Sequence, residues 1–245
     1  MPRPPRFFIS PDQISGPRIA IAGEDVRHIA TVLRMQAGGE LLLCDGEGTE
    51  YTVKITRVER SGITTEITGQ SKREPRSPRI TFGQGLPKSD KMDLIVQKAT
   101  ELGAAGIVPL VTERAVVKVR DEEKRIARWQ KIAREAAMQS NRPDIPKVFP
   151  IRRFDDYLRT LGPPQAETLL ILPWEEGTEP IKNVFTRNPG MQNIIFLIGP
   201  EGGFSAAEAE SAKIRGFHPV SLGPNILRTE TAAIAVLSMI GYEYF

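Results

Sequence analysis

The chain of 245 residues has one cysteine, two histidines and no apolar run long enough to cross a membrane. Each scarcity excludes something. Cys44 has no internal partner for a disulfide, which fits a reducing compartment. A Cys/His metal centre needs more ligands than Cys44, His28 and His218 supply, so no metal is expected. A Ser-His-Asp arrangement would have to draw on His28 or His218, and neither has a G-x-S-x-G or similar partner motif. Both are read as structural or surface histidines. The G-x-x-x-x-G-K-[ST] phosphate loop is missing, which argues against an NTPase. The opening Met1-Pro-Arg-Pro-Pro-Arg-Phe-Phe-Ile is charged but lacks the apolar core of a secretion signal, so the cytoplasm is the expected location. The chemistry is therefore expected to come from a bound cofactor.

What is present is ordinary in amount and uneven in placement. Hydrophobic residues make up 40% and charged residues 26%, which suits a globular protein with a proper core. Residues 77–150 hold 14 Lys and Arg against 9 Asp and Glu, whereas residues 151–245 hold 8 against 11, so the basic excess lies in the middle. There Arg114, Lys118, Arg120, Lys124, Arg125, Arg128, Lys131 and Arg134 form a strip. Such a strip suits phosphate contacts, and equally a solvated helix face.

The two halves follow different periodicities. Arg18–Gly23, Leu41–Asp45, Thr52–Val58 and the run from Gly62 alternate or carry short apolar stretches, which predicts strands. One helix starts near Glu24, with Val26, Ile29, Ala30 and Leu33 on one face, and ends at Gly38-Gly39. A small barrel carrying one helix is expected over 1–72. Residues 73–79, polar and broken by proline, read as a linker. From residue 80 to 245 strands and helices alternate: strands at Ile80–Leu86, Ile107–Val111, Thr168–Leu172, Asn193–Ile198 and Pro219–Leu222, and helices at 88–102, 121–139 and 229–242. That grammar predicts an α/β domain with a mainly parallel sheet, which binds ligands at the carboxyl ends of its strands.

Three of those strand ends carry distinctive loops: Leu172-Pro-Trp-Glu-Glu, Ile198-Gly-Pro-Glu-Gly-Gly-Phe-Ser, and Leu222-Gly-Pro-Asn-Ile-Leu-Arg-Thr-Glu-Thr-Ala. Gly199, Gly202 and Gly203 let a ligand approach the main chain, or simply make a tight turn. Ser205 and Glu208 have the spacing of a capping box, and Thr229 can cap the last helix. Ile226 and Leu227 offer an apolar wall. Two such loops side by side could hold an adenosine.

The glycine loop at 199–205 together with Leu-Gly-x-x-Ile-Leu-Arg-Thr-Glu-Thr-Ala at 222–232 resembles the SPOUT-class RNA methyltransferases, more narrowly the small-subunit ribosomal RNA methyltransferase E family. The likeness covers essentially the whole chain. It includes Arg27-His-Ile-Ala-Thr-Val-Leu-Arg-Met, Lys91-Met-Asp-Leu-Ile-Val-Gln-Lys-Ala-Thr-Glu-Leu-Gly, Thr112-Glu-Arg-Ala-Val-Val-Lys and Glu135-Ala-Ala-Met-Gln-Ser-Asn-Arg. One departure is Met138, where a polar residue is expected. The resemblance implies a trefoil-knotted C-terminal domain, a rare exception to the rule that chains do not knot, and an N-terminal PUA-like RNA-binding barrel. It implies a homodimer that uses S-adenosylmethionine to methylate N3 of a uridine in 16S ribosomal RNA of the small subunit.

Carried onto this sequence, the cofactor set is Leu172, Pro173, Leu197, Gly199, Pro200, Glu201, Gly202, Leu222, Gly223, Ile226, Leu227, Arg228 and Thr229. Arg228 is the candidate for stabilising charge that develops on the uracil ring, or for anchoring a phosphate or a dimer contact. Glu201 and Glu230 are the candidate proton acceptors, each equally able to favour a helix N-terminus, and for Glu230 the structural role is preferred. Arg6, Arg27, Arg34, Lys88, Lys91, Lys98, Lys124, Arg128 and Lys131 are the candidate RNA contacts. Phe7 and Phe8 have the shape to stack on bases but are expected inside the barrel. Two alternatives stay open: a SPOUT enzyme with another target, such as tRNA or a ribose 2'-hydroxyl, and a non-catalytic RNA-binding assembly factor. The latter would have a degenerate pocket.

Overall fold

The computed structural model describes residues 4–74, 77–115, 121–163 and 165–245. Lys118 and Arg120 of the basic strip lie outside them. The chain divides into one unit of Met1–Pro75 with Ala137–Ile145, and a second of Arg76–Ala136 with Pro146–Phe245.

The first unit holds β1 (Arg6–Phe8), β2 (Ile14–Ser15), β3 (Arg18–Ile21), α1 (Glu24–Arg27), β4 (Glu40–Cys44), β5 (Thr49–Val58) and β6 (Ile63–Lys72). The strand order is β1-β4-β5-β6-β3-β2, with β1 parallel to β4 and the other pairs antiparallel. Strand β3 shows the period of two that the sequence suggests: Ile19 and Ile21 are buried while Arg18 and Ala20 are exposed. Phe7 of β1 shares one core with Ile19 and Ile21 of β3, near the opposite edge, and with Leu41, Leu43, Val53 and Ile55. A flat sheet cannot bring both edges onto one cluster, so this one curls. Register shifts between β5 and β6, at Thr52/Val53 and Ile55/Arg57, supply local bends.

Phe7 and Phe8 are both buried, as expected. Met138 packs beside Ile145 against Phe8 and Cys44 within the same unit, so an apolar side chain suits that position. The helix is shorter than its pattern suggests. After Arg27 it continues only as a π turn, His28–Val32. Val26 and Ile29 are buried, but Leu33 is 38% exposed, because the wider turn rotates it off the buried face. Arg6 corrects the set of RNA contacts. Its side chain is 7% exposed, ion-paired with Glu50, and donates to Cys44 Sγ at 3.2 Å, so no guanidinium is left for solvent. Burial pushes the Cys44 thiol up to about 11, with Arg6 opposing, so the cysteine stays protonated and unreactive near neutral pH.

The second unit contains β7 (Arg79–Gly85), α2 (Lys91–Glu101), β8 (Gly106–Val111), most of α3 (Glu122–Gln139), β9 (Lys147–Val148), β10 (Arg152–Arg153), α4 (Phe154–Thr160), β11 (Thr168–Pro173), α5 (Ile181–Arg187), β12 (Asn193–Ile198), α6 (Ala206–Ile214), β13 (His218–Val220) and α7 (Thr229–Tyr244). Every strand pairing is parallel, in the order β10-β8-β7-β12-β11-β13, with β9 also on β8. The apolar runs of β11 and β12 are buried on both faces, as parallel strands require. On one face Leu170, Leu172 and Leu197 join Phe154, Tyr157, Phe204 and Ala209. Elsewhere in this core Phe82 stacks on Phe196, ring centroids 4.8 Å apart. Helix α2 packs against α7.

The short α4 and α5 have no counterpart in the sequence reading. Seven residues such as Phe154–Thr160 bury Phe154, Tyr157 and Leu158 at helical spacing but are too few to show a period against their surroundings. No helix among the described residues is long and apolar enough to cross a membrane. Because all strands run one way, their carboxyl ends share an edge of the sheet. The three distinctive loops leave from that edge, after β11, β12 and β13.

Candidate active site

The glycine loop starts where β12 ends. At Gly203 the backbone has φ +66, a conformation that favours glycine, while the nearest atom to a Cβ there would be the movable carboxylate of Glu175 at 3.0 Å. The expected capping box is formed: the Glu208 N–H donates to Ser205 Oγ at 3.2 Å, and the Ser205 N–H donates to Glu208 Oε2 at 3.0 Å. The remaining Glu208 oxygen accepts the Glu113 N–H at 2.8 Å. Arg114 Nη1 donates to the Gly202 carbonyl at 2.9 Å. The segment after β8 thus grips the glycine loop, and Arg114 has a holding role that its place in a basic strip did not reveal.

The third loop leaves β13 through Ser221, whose Oγ accepts the Gly223 N–H at 3.2 Å. Gly223 has φ +122, which few other residues adopt. The capping role read for Thr229 is corrected. Arg228, with extended backbone, is the N-cap of α7 and makes no side-chain cap bond. The Thr229 hydroxyl instead donates to the Gly199 carbonyl at 2.6 Å and accepts from Gln84 Nε2 at 2.8 Å.

These loops enclose a cavity of about 400 Å³, a usual size for a cofactor pocket. Ten of the thirteen residues proposed for the cofactor line it: Pro173, Gly199, Pro200, Glu201, Leu222, Gly223, Ile226, Leu227, Arg228 and Thr229. The other three do not. Leu172 and Leu197 turn inward to the core beside Phe204, and Gly202 faces Arg114 outside the cavity. Trp174, Glu175, Phe204, Asn225 and Ala232 also line it. All five stand in or beside the quoted loops, but alternation along a loop carries no information on which side chain turns inward. Trp174 is braced from behind by Lys213, whose Nζ lies 5.0 Å from a ring centroid. An apolar wall, glycine-exposed backbone and the Glu175 carboxylate fit a nucleoside with a cationic tail, which is the chemistry of S-adenosylmethionine.

A three-member charge cluster borders the cavity. Lys91 Nζ lies 3.0 Å from Glu201 Oε1 and 3.3 Å from Glu230 Oε2. The second contact lacks hydrogen-bond geometry and leaves Glu230 Oε2 buried without such a partner. Glu201 also accepts the Lys88 N–H at 3.1 Å. Burial works to raise the Glu201 carboxyl, but hydrogen bonds from Lys91 and from backbone N–H groups outweigh it and hold the group below the ordinary carboxylate range. The bond to Glu201 in turn raises the Lys91 ammonium, and burial only partly opposes it. A carboxylate held low is a weak proton acceptor, so this geometry favours Glu201 as an anchor for Lys91 and Lys88.

The sign of the pH effect follows. The Glu201 contribution to stability is whole above the ordinary carboxylate range and fades as pH falls through its lowered folded value. Lys91→Met is expected to move the Glu201 titration upward in a carboxyl-labelled NMR experiment; an unmoved titration would show that Lys91 is not its cause.

The remaining candidate RNA contacts separate into two kinds. Lys91, Lys98 and Arg128 are engaged with Glu201, Glu101 and Asp93 respectively, and Lys131 stands 4.0 Å from Glu135. Asp93 also accepts the Trp129 indole N–H at 3.1 Å, which ties α3 to α2. Lys88 and Lys124 in the second unit, and Arg27 and Arg34 in the first, are exposed and make no ion pair among the described residues.

Comparison with known proteins agrees with this geometry. The model of an RNA methyltransferase domain matches residues 74–241, and that of an RNA methyltransferase PUA domain matches residues 21–68. The chain is 34% identical to ribosomal RNA small subunit methyltransferase E of Bacillus subtilis, over 97% of this chain and 96% of that one. It is 30% identical to the protein of the same name from Synechocystis, over 96% and 76% respectively. Among solved structures, ribosomal RNA small subunit methyltransferase E from Neisseria gonorrhoeae bound to S-adenosyl methionine aligns with a TM-score of 0.86 at 31% identity, covering 99% of this chain and 98% of that one. A methyltransferase from Legionella pneumophila in complex with the same cofactor aligns with a TM-score of 0.84 at 32% identity, covering 98% of each.

Proposed function

The chain belongs to the ribosomal RNA small subunit methyltransferase E family, and on that premise we propose that it methylates N3 of one uridine in 16S ribosomal RNA on the assembled small subunit. The carrying observation is the single cavity built by the three strand-end loops, with its glycines intact and Arg228 at its edge. A non-catalytic factor would have no need of such a pocket. When bound, S-adenosylmethionine supplies the activated methyl group. The protein's part is to orient, to shield and to balance charge.

N3 lies on the pairing edge of the base, so the uridine must be unpaired or drawn out before it can react. Arg228 offers a guanidinium that makes no ion pair among the described residues, so it is free to stabilise negative charge on the uracil ring. Exposed Lys88 and Lys124, with Arg27 and Arg34 of the PUA-like unit, contact the RNA backbone. The enzyme acts as a homodimer in the cytoplasm. Ile226 is 89% exposed although it lines the cavity, and Tyr242 on α7 is 91% exposed; a second copy would cover both. Placement of β12 between β7 and β11, out of chain order, supports the knotted path of the family.

The test is methyl incorporation from labelled S-adenosylmethionine into small ribosomal subunits that lack the modification, followed by mapping of the modified nucleotide. A single N3-methyluridine is the expected product. A methylated ribose, or a product only on tRNA, would replace this reading with another target of the same fold.

A further inference from the structure

One buried side chain lies behind the cavity and belongs to none of its loops. Gln84 sits near the carboxyl end of β7 and is 0% exposed. Both amide hydrogens are used: Nε2 donates to the Gly85 carbonyl at 2.9 Å and to Thr229 Oγ1 at 2.8 Å. Thr229, having accepted that bond, passes its own hydrogen to the Gly199 carbonyl at 2.6 Å. The direction of the chain is fixed, since Gly85 O and Gly199 O can only accept. A flipped amide would set Gln84 Oε1 against the Gly85 carbonyl. Three segments far apart in sequence, at 84–85, 199 and 229, are thus joined by one polar relay. At the same place β7 approaches the glycine loop so closely that a Cβ on Gly85 would fall 2.6 Å from Pro200 N and Cδ.

The relay has a visible cost. Gln84 Oε1 is buried and has no hydrogen-bond partner. A leucine of similar size would remove that stranded oxygen but also the donor to the Gly85 carbonyl and Thr229, two opposed effects, so stability alone does not account for the glutamine. We propose that Gln84 is a positioning residue for the cofactor: through Thr229 it fixes the Gly199 carbonyl and the start of α7, and so sets the shape of the S-adenosylmethionine pocket. This rests on the cofactor reading given above. Gln84 does not line the cavity and acts only through the threonine.

Calorimetric titration of S-adenosylmethionine, paired with thermal melting of the ligand-free protein, tests it. Gln84→Leu is expected to bind the cofactor about tenfold more weakly, the share of one lost hydrogen bond, while melting close to the parent, because relief of the stranded oxygen offsets the lost donors. Thr229→Val should weaken binding similarly, Thr229→Ser should restore it, and the Gln84→Leu, Thr229→Val double variant should be no weaker than Thr229→Val alone. A purely structural glutamine predicts the opposite pattern: a lower melting temperature with the dissociation constant unchanged. Binding by Gln84→Leu within twofold of the parent overturns the proposal, as does full binding by Thr229→Val should the leucine variant not fold. Failure of the parent chain itself to bind would instead overturn the cofactor reading.

Discussion

Gly199→Val is expected to weaken S-adenosylmethionine binding by about a hundredfold or more while leaving the fold intact. The reason is local. Even a single Cβ at this position would lie 2.9 Å from the Gly203 carbonyl carbon, 3.0 Å from Gly203 Cα and 3.1 Å from Phe204 N. All three are backbone atoms of the same turn, so no side chain can swing away to make room. Valine adds two further methyl groups. Overpacking typically costs about 1–3 kcal/mol, and here it falls on the loop that shapes the cavity rather than on the sheet beneath. The Ser205–Glu208 capping box and the Glu113 bond are anchored beyond the turn and keep α6 in place. Calorimetry with a parallel circular dichroism melt reads both sides of this. Cofactor binding near the parental value would mean that the loop yields and that the cavity is not the cofactor site.

Arg228→Ala should separate binding from chemistry. Arg228 lines the cavity but is exposed, and its N-cap position contributes no side-chain bond to α7. Its backbone, at φ −64 and ψ 152, is one that alanine adopts freely. The substitution therefore removes a charge and little else. A donor aimed at developing negative charge is worth about 10²–10³ in rate, so methyl transfer to small subunits should fall by that factor with cofactor affinity nearly unchanged. Arg228→Lys, which keeps the charge but not the planar fork, should recover part of the loss. A fall in RNA affinity with the rate at saturating RNA preserved would assign Arg228 to phosphate anchoring instead.

The charge cluster shows how a site can be half legible. Lys91 stands in a segment that resembles the family, and Glu201 in another, but nothing in either segment says that they meet. Read alone, Lys91 is one more basic residue for RNA. Placed 3.0 Å from Glu201, it becomes part of the cavity wall, and the same contact lowers a carboxyl that by sequence is a candidate either for proton acceptor or for a helix N-terminus. Arg6 fared likewise: positive on paper, it is committed to Glu50 within the first unit.

What the sequence determined by itself was whatever depends on neighbours along the chain. Alternation in β3, the apolar runs of β11 and β12, the capping spacing of Ser205 and Glu208 and the glycines of two loops are all local. Each acts through backbone geometry that a few adjacent residues dictate. Those features were enough for an α/β unit with a mainly parallel sheet, a strand-rich N-terminal unit and a pocket at the strand ends. Tertiary structure alone decided the rest. It turned Leu172 and Leu197 into the core and Trp174 and Glu175 toward the cavity, grouped Ala137–Ile145 with the first unit, and joined Gln84, Thr229 and Gly199 in one relay. Such outcomes rest on contacts between residues up to 145 positions apart. No periodicity encodes them, because they exist only once the sheet has brought its strand ends together.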